Sequence, residues 1–501
     1  MKKIIITLAA VCALYSCEDA TDIVQPSEFN SDRAFQSADD VKTAVFGVYG
    51  SANSTTALSF TANFTDESSL GSAGNNGSAA HRLILNVNDG FAQGIWANNY
   101  NAILRANILF DGATRVTPAL PEDIATYNEA LGEAYALRAY AYSKLISYFG
   151  VDMSDRSSAG VILIDFIPDV DTRLPRSTVG EVMDFINRDL DEAQRLLTAA
   201  GTAYSSTFVS LQFVDALRAR INAYAGNYSV ASAAANRVLN TFSLSDTANE
   251  MNYRDVWQDI AGTGTSNEVI FKFNNTLENG NGIGSIFNTN RSSFDGAPLL
   301  EVSRPLYNLL EEREATFGDI RRPVFIDPTS VEVADYPNDP LPQFNDRIVI
   351  DKYPGDPALP GLTGGLTNDQ KVFRTAEMHF ILAEAAVAGG NLDNAEDQIE
   401  EILEARYTMG STSVSYNSAT EAWAGIVQER FIELAWEGHR YVDLKRLGGL
   451  ANQGIDRNDT DCSLYPTPEC DLSPSDFRLQ ALPIPQAEFQ GNPNVVQNPG
   501  Y

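Results

Sequence analysis

The sequence predicts a mostly α-helical protein, built of helical hairpins with an irregular, loop-rich region set among them. Three observations predict it. Long segments place apolar residues at the 3.6-residue period of a helix. One helix–turn–helix unit occurs twice, at an offset of 164 positions. Between the two copies the composition shifts to Asn, Gly, Pro and Asp, with only short β-like runs.

The N-terminus reads as a targeting signal. Met1-Lys2-Lys3 is positive, Ile4 to Leu14 is apolar, and Leu14-Tyr15-Ser16-Cys17 places a small residue before a cysteine. An apolar stretch this short does not cross a hydrocarbon core of about 30 Å as a helix. It fits an ordinary secretory signal with an incidental cysteine, or a lipobox cleaved before Cys17. The lipobox is the favoured reading. Residues 1–16 are then a signal peptide, and 17–37 a polar tether lipidated at Cys17. Acyl chains contribute about 0.8 kcal/mol per buried CH₂, so two or three of them anchor a protein firmly. No other run of eighteen apolar residues exists, so lipid is the expected membrane attachment.

Residues 38–501 read as one unit with three parts: 38–249 helical, 250–370 loop-rich and 371–501 helical again. The first helix is expected over 38–50, where Val41, Ala44, Val45 and Val48 share a face. Residues 66–90 are Ser-, Gly- and Asn-rich and break the period. Amphipathic segments resume at 92–112, 122–149, 178–199 and 207–240. The insertion carries β-like runs at Val269–Phe273 and Arg347–Ile350, and a last helical stretch is expected over 419–447. Trp96, Trp423, Trp436, His379 and His439 fall on predicted helices and are expected to pack internally, as is Trp257 ahead of a β-run.

The repeat aligns Ala216–Asn240 with Phe380–Glu404. Gly226-Asn227 matches Gly390-Asn391 at the turn, and Ala231 matches Ala395 four positions after the Asn. Glycine suits a left-handed position after a helix, and alanine lets the second helix cross closely. This is the turn chemistry of tetratricopeptide-type hairpins. With two copies, a coincidental pair of helices is the competing reading.

The 35 basic and 66 acidic residues give a formal charge of −31, and loss of Lys2 and Lys3 with the signal takes it to −33. That excludes a nucleic-acid binder working by counterion release, and it disfavours a basic patch on anionic lipid. No HExxH, GxSxG, phosphate-binding or dinucleotide-binding motif is present, and so many carboxylates make acid pairs uninformative. No catalytic residue, metal or cofactor is expected. Cys462 and Cys470, with seven residues between them, are expected to form a disulfide outside the cytoplasm. The acidic run Asp456–Asp461 lacks the glycine and closing glutamate of a calcium loop.

A sugar-binding surface needs aromatic faces beside directed hydrogen-bond partners. Two loops offer such mixtures: Asp66, Asn75, His81 and Arg82 in one, and Asn288, Arg291 and Phe294 in the other. The net charge favours a neutral ligand. A polyanion would need a local basic pocket, for which Arg82 and Arg291 are candidates.

Several segments together resemble the SusD/RagB family of surface glycan-binding lipoproteins of the Bacteroidetes. They are Phe373–Glu377 through Ala383-Glu384-Ala385, Glu429–Leu434, Glu437–Arg446, Leu482–Pro485 and Gln497–Tyr501. Upstream, Ile95-Trp96 with Tyr100, Ile103 and Ala106-Asn107, and Arg138-Ala139-Tyr140 before Tyr148-Phe149-Gly150, fit the same pattern. The resemblance implies a SusD-like fold of tetratricopeptide-type hairpins supporting an irregular ligand-binding region. It implies a SusC-like TonB-dependent transporter as partner, and Glu18-Asp19 is similar to the signal that exports such lipoproteins to the cell surface. It carries over no ligand-contact residue. Arg430, Glu433, Glu437 and Arg440 are spaced for i,i+3 and i,i+4 ion pairs along one helix. The expected function is capture of oligosaccharide or polysaccharide for the transporter, without catalysis. The alternatives are a RagB-like peptide-binding lid and a surface glycoside hydrolase or lyase.

Overall fold

A computed structural model describes residues 34–74, 78–245, 253–259, 267–276, 282–287, 298–332, 338, 345–355, 367–462 and 469–501. The expected signal, Cys17 and all but the end of the tether lie outside these residues. Helix α1 (Ala38–Ala52) opens on a capping box in which Ser37 and Asp40 accept each other's backbone N–H, satisfying donors that a helix start leaves orphaned. It buries Val41, Val45 and Val48. Helix α2 (Thr56–Phe64) occupies a stretch that the periodicity leaves unassigned. Strand β1 (Ser68–Leu70) follows, then α3 (Gly90–Ala113), α4 (Pro121–Phe149) and α5 (Val179–Ala200). Pro121 begins α4, where its missing N–H is not needed. Helix α4 packs against α1, α3 and α5, burying Ala130, Ala134, Leu137, Ala141 and Leu145.

The repeat forms two hairpins, α6 (Leu211–Tyr224) with α7 (Tyr228–Leu239), and, after the insertion, α9 (Thr375–Ala388) with α10 (Leu392–Glu404). Gly226 and Gly390 turn with φ of 74° and 78°, the left-handed region glycine enters without strain. Ala231 and Ala395 are fully buried at the crossings, and α7 packs on α9, so the two copies stack.

The insertion contributes β2 (Val269–Phe273), β3 (Leu300–Val302) and α8 (Arg304–Phe317), and β4 (Gln370–Arg374) leads into α9. Helices α11 (Ala419–Glu433) and α12 (Arg440–Ala451) and strands β5 (Ile455–Asp456) and β6 (Asp471–Leu472) complete the labelled elements. The strands pair antiparallel as β1–β3, β2–β4 and β5–β6. Arg347–Ile350 forms isolated bridges to Val331 and Ile326 rather than a strand. One apolar cluster fills the helical scaffold. A second lies under the insertion around Trp257, Leu306, Phe325, Ile350 and Trp436.

The stretch expected as one helix over 419–447 is broken at residues 434–439, and the break is built from outside. Lys352 of the insertion donates to the carbonyls of Glu433 (3.2 Å) and Ala435 (2.8 Å), and the Tyr353 hydroxyl donates to that of Trp436 (3.1 Å). Trp436 and Gly438 take φ of 58° and 84°. Trp436 therefore sits in the break, and His439 stands at the start of α12 rather than inside a helix.

The break also reassigns the expected local ion pairs. Glu433 accepts from Arg374 (3.0 Å) and Arg406 (2.9 and 3.0 Å) and pairs with Arg321 (3.4 Å). Glu437 pairs with Arg374 (2.7 Å) and Lys352 (2.8 Å), Arg430 with Asp443 (2.8 Å), and Arg440 with Asp66 (2.7 Å). Burial pushes the Glu433 carboxyl up, but Arg406, Arg374 and Arg321 outweigh it and hold it well below the carboxylate range. Cys462 and Cys470 are disulfide-bonded, with Cα atoms 5.7 Å apart. No helix among the described residues is long and apolar enough to cross a membrane.

Glu433→Gln, which keeps the shape and removes the charge, should cost about 3–5 kcal/mol in urea unfolding at pH 7, because it leaves buried arginines short of a counter-charge. The carboxyl is depressed in the folded state, so its contribution is present above the ordinary value of 4.5 and lost as pH falls toward the folded value. The gap between wild type and variant should narrow below that pH. A gap under about 1 kcal/mol at pH 7 contradicts this account.

Candidate functional site

The β1–β3 ladder joins the two strands that adjoin, in sequence, the loops singled out above. Ser68 pairs with Val302, Ser69 with Glu301 and Leu70 with Leu300. Beyond the ladder, the N–H of Gly71 donates to Leu299 O (3.1 Å) and that of Ala73 to Pro298 O (2.9 Å). A Cβ on Gly71 would lie 2.4 Å from Pro298 O, so the approach requires glycine. The segment leading to Asn75, His81 and Arg82 thus leaves a common stem with the segment that follows Asn288, Arg291 and Phe294. Asn75, Asn288, Arg291 and Phe294 themselves lie outside the described residues.

The stem is clamped from below. The backbone N–H of Trp436 donates to the Glu67 carboxyl (3.0 Å), and its indole N–H is shared between Glu67 O (3.2 Å) and Ser68 Oγ (3.1 Å). Ser303 donates through its backbone N–H to Glu67 O (3.2 Å) and through its hydroxyl to Asp66 O (2.6 Å). Arg440 grips Asp66 with two bonds of 2.8 and 2.7 Å and lies 4.3 Å from the centre of the Phe431 ring. Burial pushes Glu67 up to about 8 and Glu301 likewise to about 8, so both are neutral acids at pH 7.

Of the candidate residues described, Asp66 and His81 are buried and Arg82 is partly exposed. Arg457 donates to the carbonyls of Asn63 (3.0 Å), Thr65 (3.0 Å) and His81, tying the 78–84 turn to the end of α2. Burial, reinforced by Arg457, holds the His81 imidazole well below its ordinary range and neutral. Leu83 in the same turn has φ of 56°, a strained value for a leucine, and its carbonyl accepts from Arg478 (3.0 Å). Asp66 and His81 thus shape the loop base. Among the described residues the Arg82 guanidinium makes no hydrogen bond or ion pair, and it borders the loop that carries Asn75.

Two of the cavities combine rings with polar groups. One, of about 540 Å³, opens where Asp66, Arg440 and Phe431 meet Asn308, Gln428 and Asp456. It mixes amides, carboxylates and a guanidinium, which suits ring hydroxyls that both donate and accept. The other, of about 820 Å³, lies where α3, α4 and α5 meet. The half-buried rings of Phe110 and Tyr135 stack there at 4.2 Å, and Arg138 lies 4.6 Å from the Phe110 ring and is doubly bonded to Asp189 (2.7 and 2.9 Å). Sequence reasoning missed this second cavity, because Phe110 and Tyr135 lie on different helices and meet only when α3 packs on α4. The usable signal was Tyr135 and Arg138 three positions apart on one helix face. No group of His, Cys, Asp and Glu among the described residues is arranged to hold a metal ion.

Comparison with known proteins gives one consistent answer. Residues 332–501 match the SusD family, and residues 18–221 match a family described as starch-binding, associating with the outer membrane. SusD-like protein P2 of Formosa agariphila is 26% identical over 537 aligned positions, covering 100% of both chains. The crystal structure of a SusD superfamily protein from Bacteroides thetaiotaomicron superimposes with a TM-score of 0.75 at 22% identity, over 92% of this chain and 100% of that one. A laminarin-binding SusD-like protein superimposes with a TM-score of 0.68 at 20% identity, over 93% and 100%.

The neutral state of Glu67 generates a prediction. Its folded value, about 8, lies above the ordinary 4.5, so its contribution to stability is complete below 4.5 and is lost as pH rises toward 8. Relative to Glu67→Gln, the wild type should therefore lose on the order of 2–5 kcal/mol between pH 4.5 and 8, then run parallel. Parallel stability profiles across that whole range would mean that Glu67 is ionised in the fold.

Proposed function

The chain belongs to the SusD/RagB family, and from that premise we propose that it is a cell-surface glycan-binding lipoprotein that passes captured oligosaccharide to a SusC-like TonB-dependent transporter. The observation that carries the reading is the common stem. Two strands more than two hundred positions apart, each adjoining in sequence a loop rich in sugar-compatible side chains, pair in one ladder on a rigid helical base. Loops on a rigid scaffold are where binding surfaces form. The starch-binding description of the family matched at residues 18–221 and the laminarin ligand of a structural neighbour support a carbohydrate as ligand. Asn75, Arg82, Asn288, Arg291 and Phe294 are the contacts proposed at the loops, while the buried His81 and Asp66 shape the loop base. The acylated Cys17 holds the protein at the outer membrane, and binding occurs without bond cleavage.

Calorimetry and affinity electrophoresis against soluble polysaccharides test the reading. At least one glycan should bind and remain uncleaved, and Arg82→Ala should weaken it about tenfold, one ion-assisted hydrogen bond's worth, without shifting the melting temperature. Binding of peptides and of no glycan would move the protein to the peptide-binding branch, and product release would make it a hydrolase or lyase. Cys17→Ala should move the protein from the membrane fraction to the soluble fraction of the producing cells; an unchanged membrane fraction would refute the lipid anchor.

A further inference from the structure

The formal charge of −31 leaves few cations to spare, and the fold commits most of them. Arg138, Arg220, Arg321, Arg374, Arg406 and Arg440 are all buried against carboxylates. Arg105 of α3 is different. It is exposed, and among the described residues it has no ion pair or hydrogen bond. Its guanidinium lies over Gly47 of α1, 3.2 Å from where a Cβ would stand.

Arg105 borders a groove of about 460 Å³ between α1, α3 and the turn into α2. Gly50 forms part of the floor, and a Cβ there would meet nothing within 4 Å. The walls are amides and hydroxyls held in place by one another. Asn98 donates to Ser54 Oγ (2.9 Å) and Thr56 Oγ1 (3.3 Å), and Asn101 donates to Ser51 Oγ (3.3 Å). Their amide oxygens and the Ser51 hydroxyl hydrogen remain available to a ligand. Among the described residues no carboxylate lines this groove. The cavities beside Asp66, Asp189 and Glu404 all contain carboxylates.

We propose that this groove is a second saccharide subsite, taking a sugar residue that carries an oxyanion, either a sulfate ester or a carboxylate. Arg105 holds the oxyanion, whose planar or tetrahedral oxygens match the guanidinium fork. Asn98, Asn101 and Ser51 hold the ring hydroxyls. With no aromatic or large apolar wall, the groove recognises polar groups by direction rather than by stacking. Its acid-free lining removes the local repulsion that the rest of this surface exerts on an anion. The proposal rests on the glycan reading and adds to it a charge class of ligand and a place where that charge is read.

Calorimetric titration of the intact protein with three size-matched oligosaccharides, neutral, uronate-bearing and sulfated, tests it. One charged ligand should bind at least about tenfold more tightly than the neutral one, with the advantage fading at high salt. Which charged arm responds identifies the oxyanion. Arg105→Gln should abolish the advantage and leave neutral binding intact, and Gly50→Phe, which fills the groove from an open helix position, should weaken the charged ligand. Retention of the advantage in Arg105→Gln, or its loss in Arg82→Gln instead, overturns the proposal. Binding of the neutral ligand with no charged advantage, or binding of a soluble polysaccharide but of none of the three, overturns the groove and leaves the glycan reading standing, whereas binding of peptides and of no glycan overturns both.

Discussion

Glu433 is the point through which the rest of the structure is tied. It ends α11, and its carboxylate accepts from Arg374 at the end of β4 and Arg406 just after α10, with Arg321 of the insertion beside it. Those arginines in turn hold Glu268, Asp319, Glu429 and Glu437. With Arg313 and Lys352 included, cations and carboxylates are equal in number, which is how so many charges remain buried. Rings cover what is left: Arg406 lies 4.0 Å from the Tyr253 ring centre and Lys352 4.2 Å from that of Trp257. A network of this kind contributes less net stability than its number of contacts suggests, because each ion loses its water. It allows only one arrangement, since removing any partner strands a charge.

That single arrangement reaches the proposed ligand surface in two steps. Ending α11 at Glu433 frees the next residues to turn, and Lys352 satisfies the carbonyls so exposed. The turn delivers Trp436 beneath Glu67 and Ser68, which sets the β1–β3 stem that adjoins both loops in sequence. Scaffold and recognition therefore divide the charged residues between them. Among the described residues most arginines are held in ion pairs, and Arg82 and Arg105, whose guanidinium groups are unengaged there, lie beside a loop and a groove.

Much of this was legible in the chain itself. Gly226 and Gly390 signalled their turns because a left-handed backbone favours glycine, and Ala231 and Ala395 signalled close helix crossings because nothing larger fits. The segment that resembles the SusD/RagB family at 429–446 was visible, but its purpose was misread. Arg430, Glu433, Glu437 and Arg440 suit ion pairs along a continuous helix, yet each reaches a partner elsewhere in the chain. Spacing reports which side chains could meet on one element. It says nothing of the partners that arrive from other elements.

The same distinction separates what the sequence determined from what the tertiary structure decided. Periodicity, turn glycines and composition are properties of neighbouring residues, so the helical hairpins, the loop-rich insertion and the acidic surface could be read from the order of residues alone. The break at 434–439, the stem joining residues 68–70 to 300–302, and the acid-free groove under Arg105 are made by segments far apart in the chain. Their existence depends on which long-range pairing satisfies buried charges and backbone groups together. Only the folded chain solves that condition.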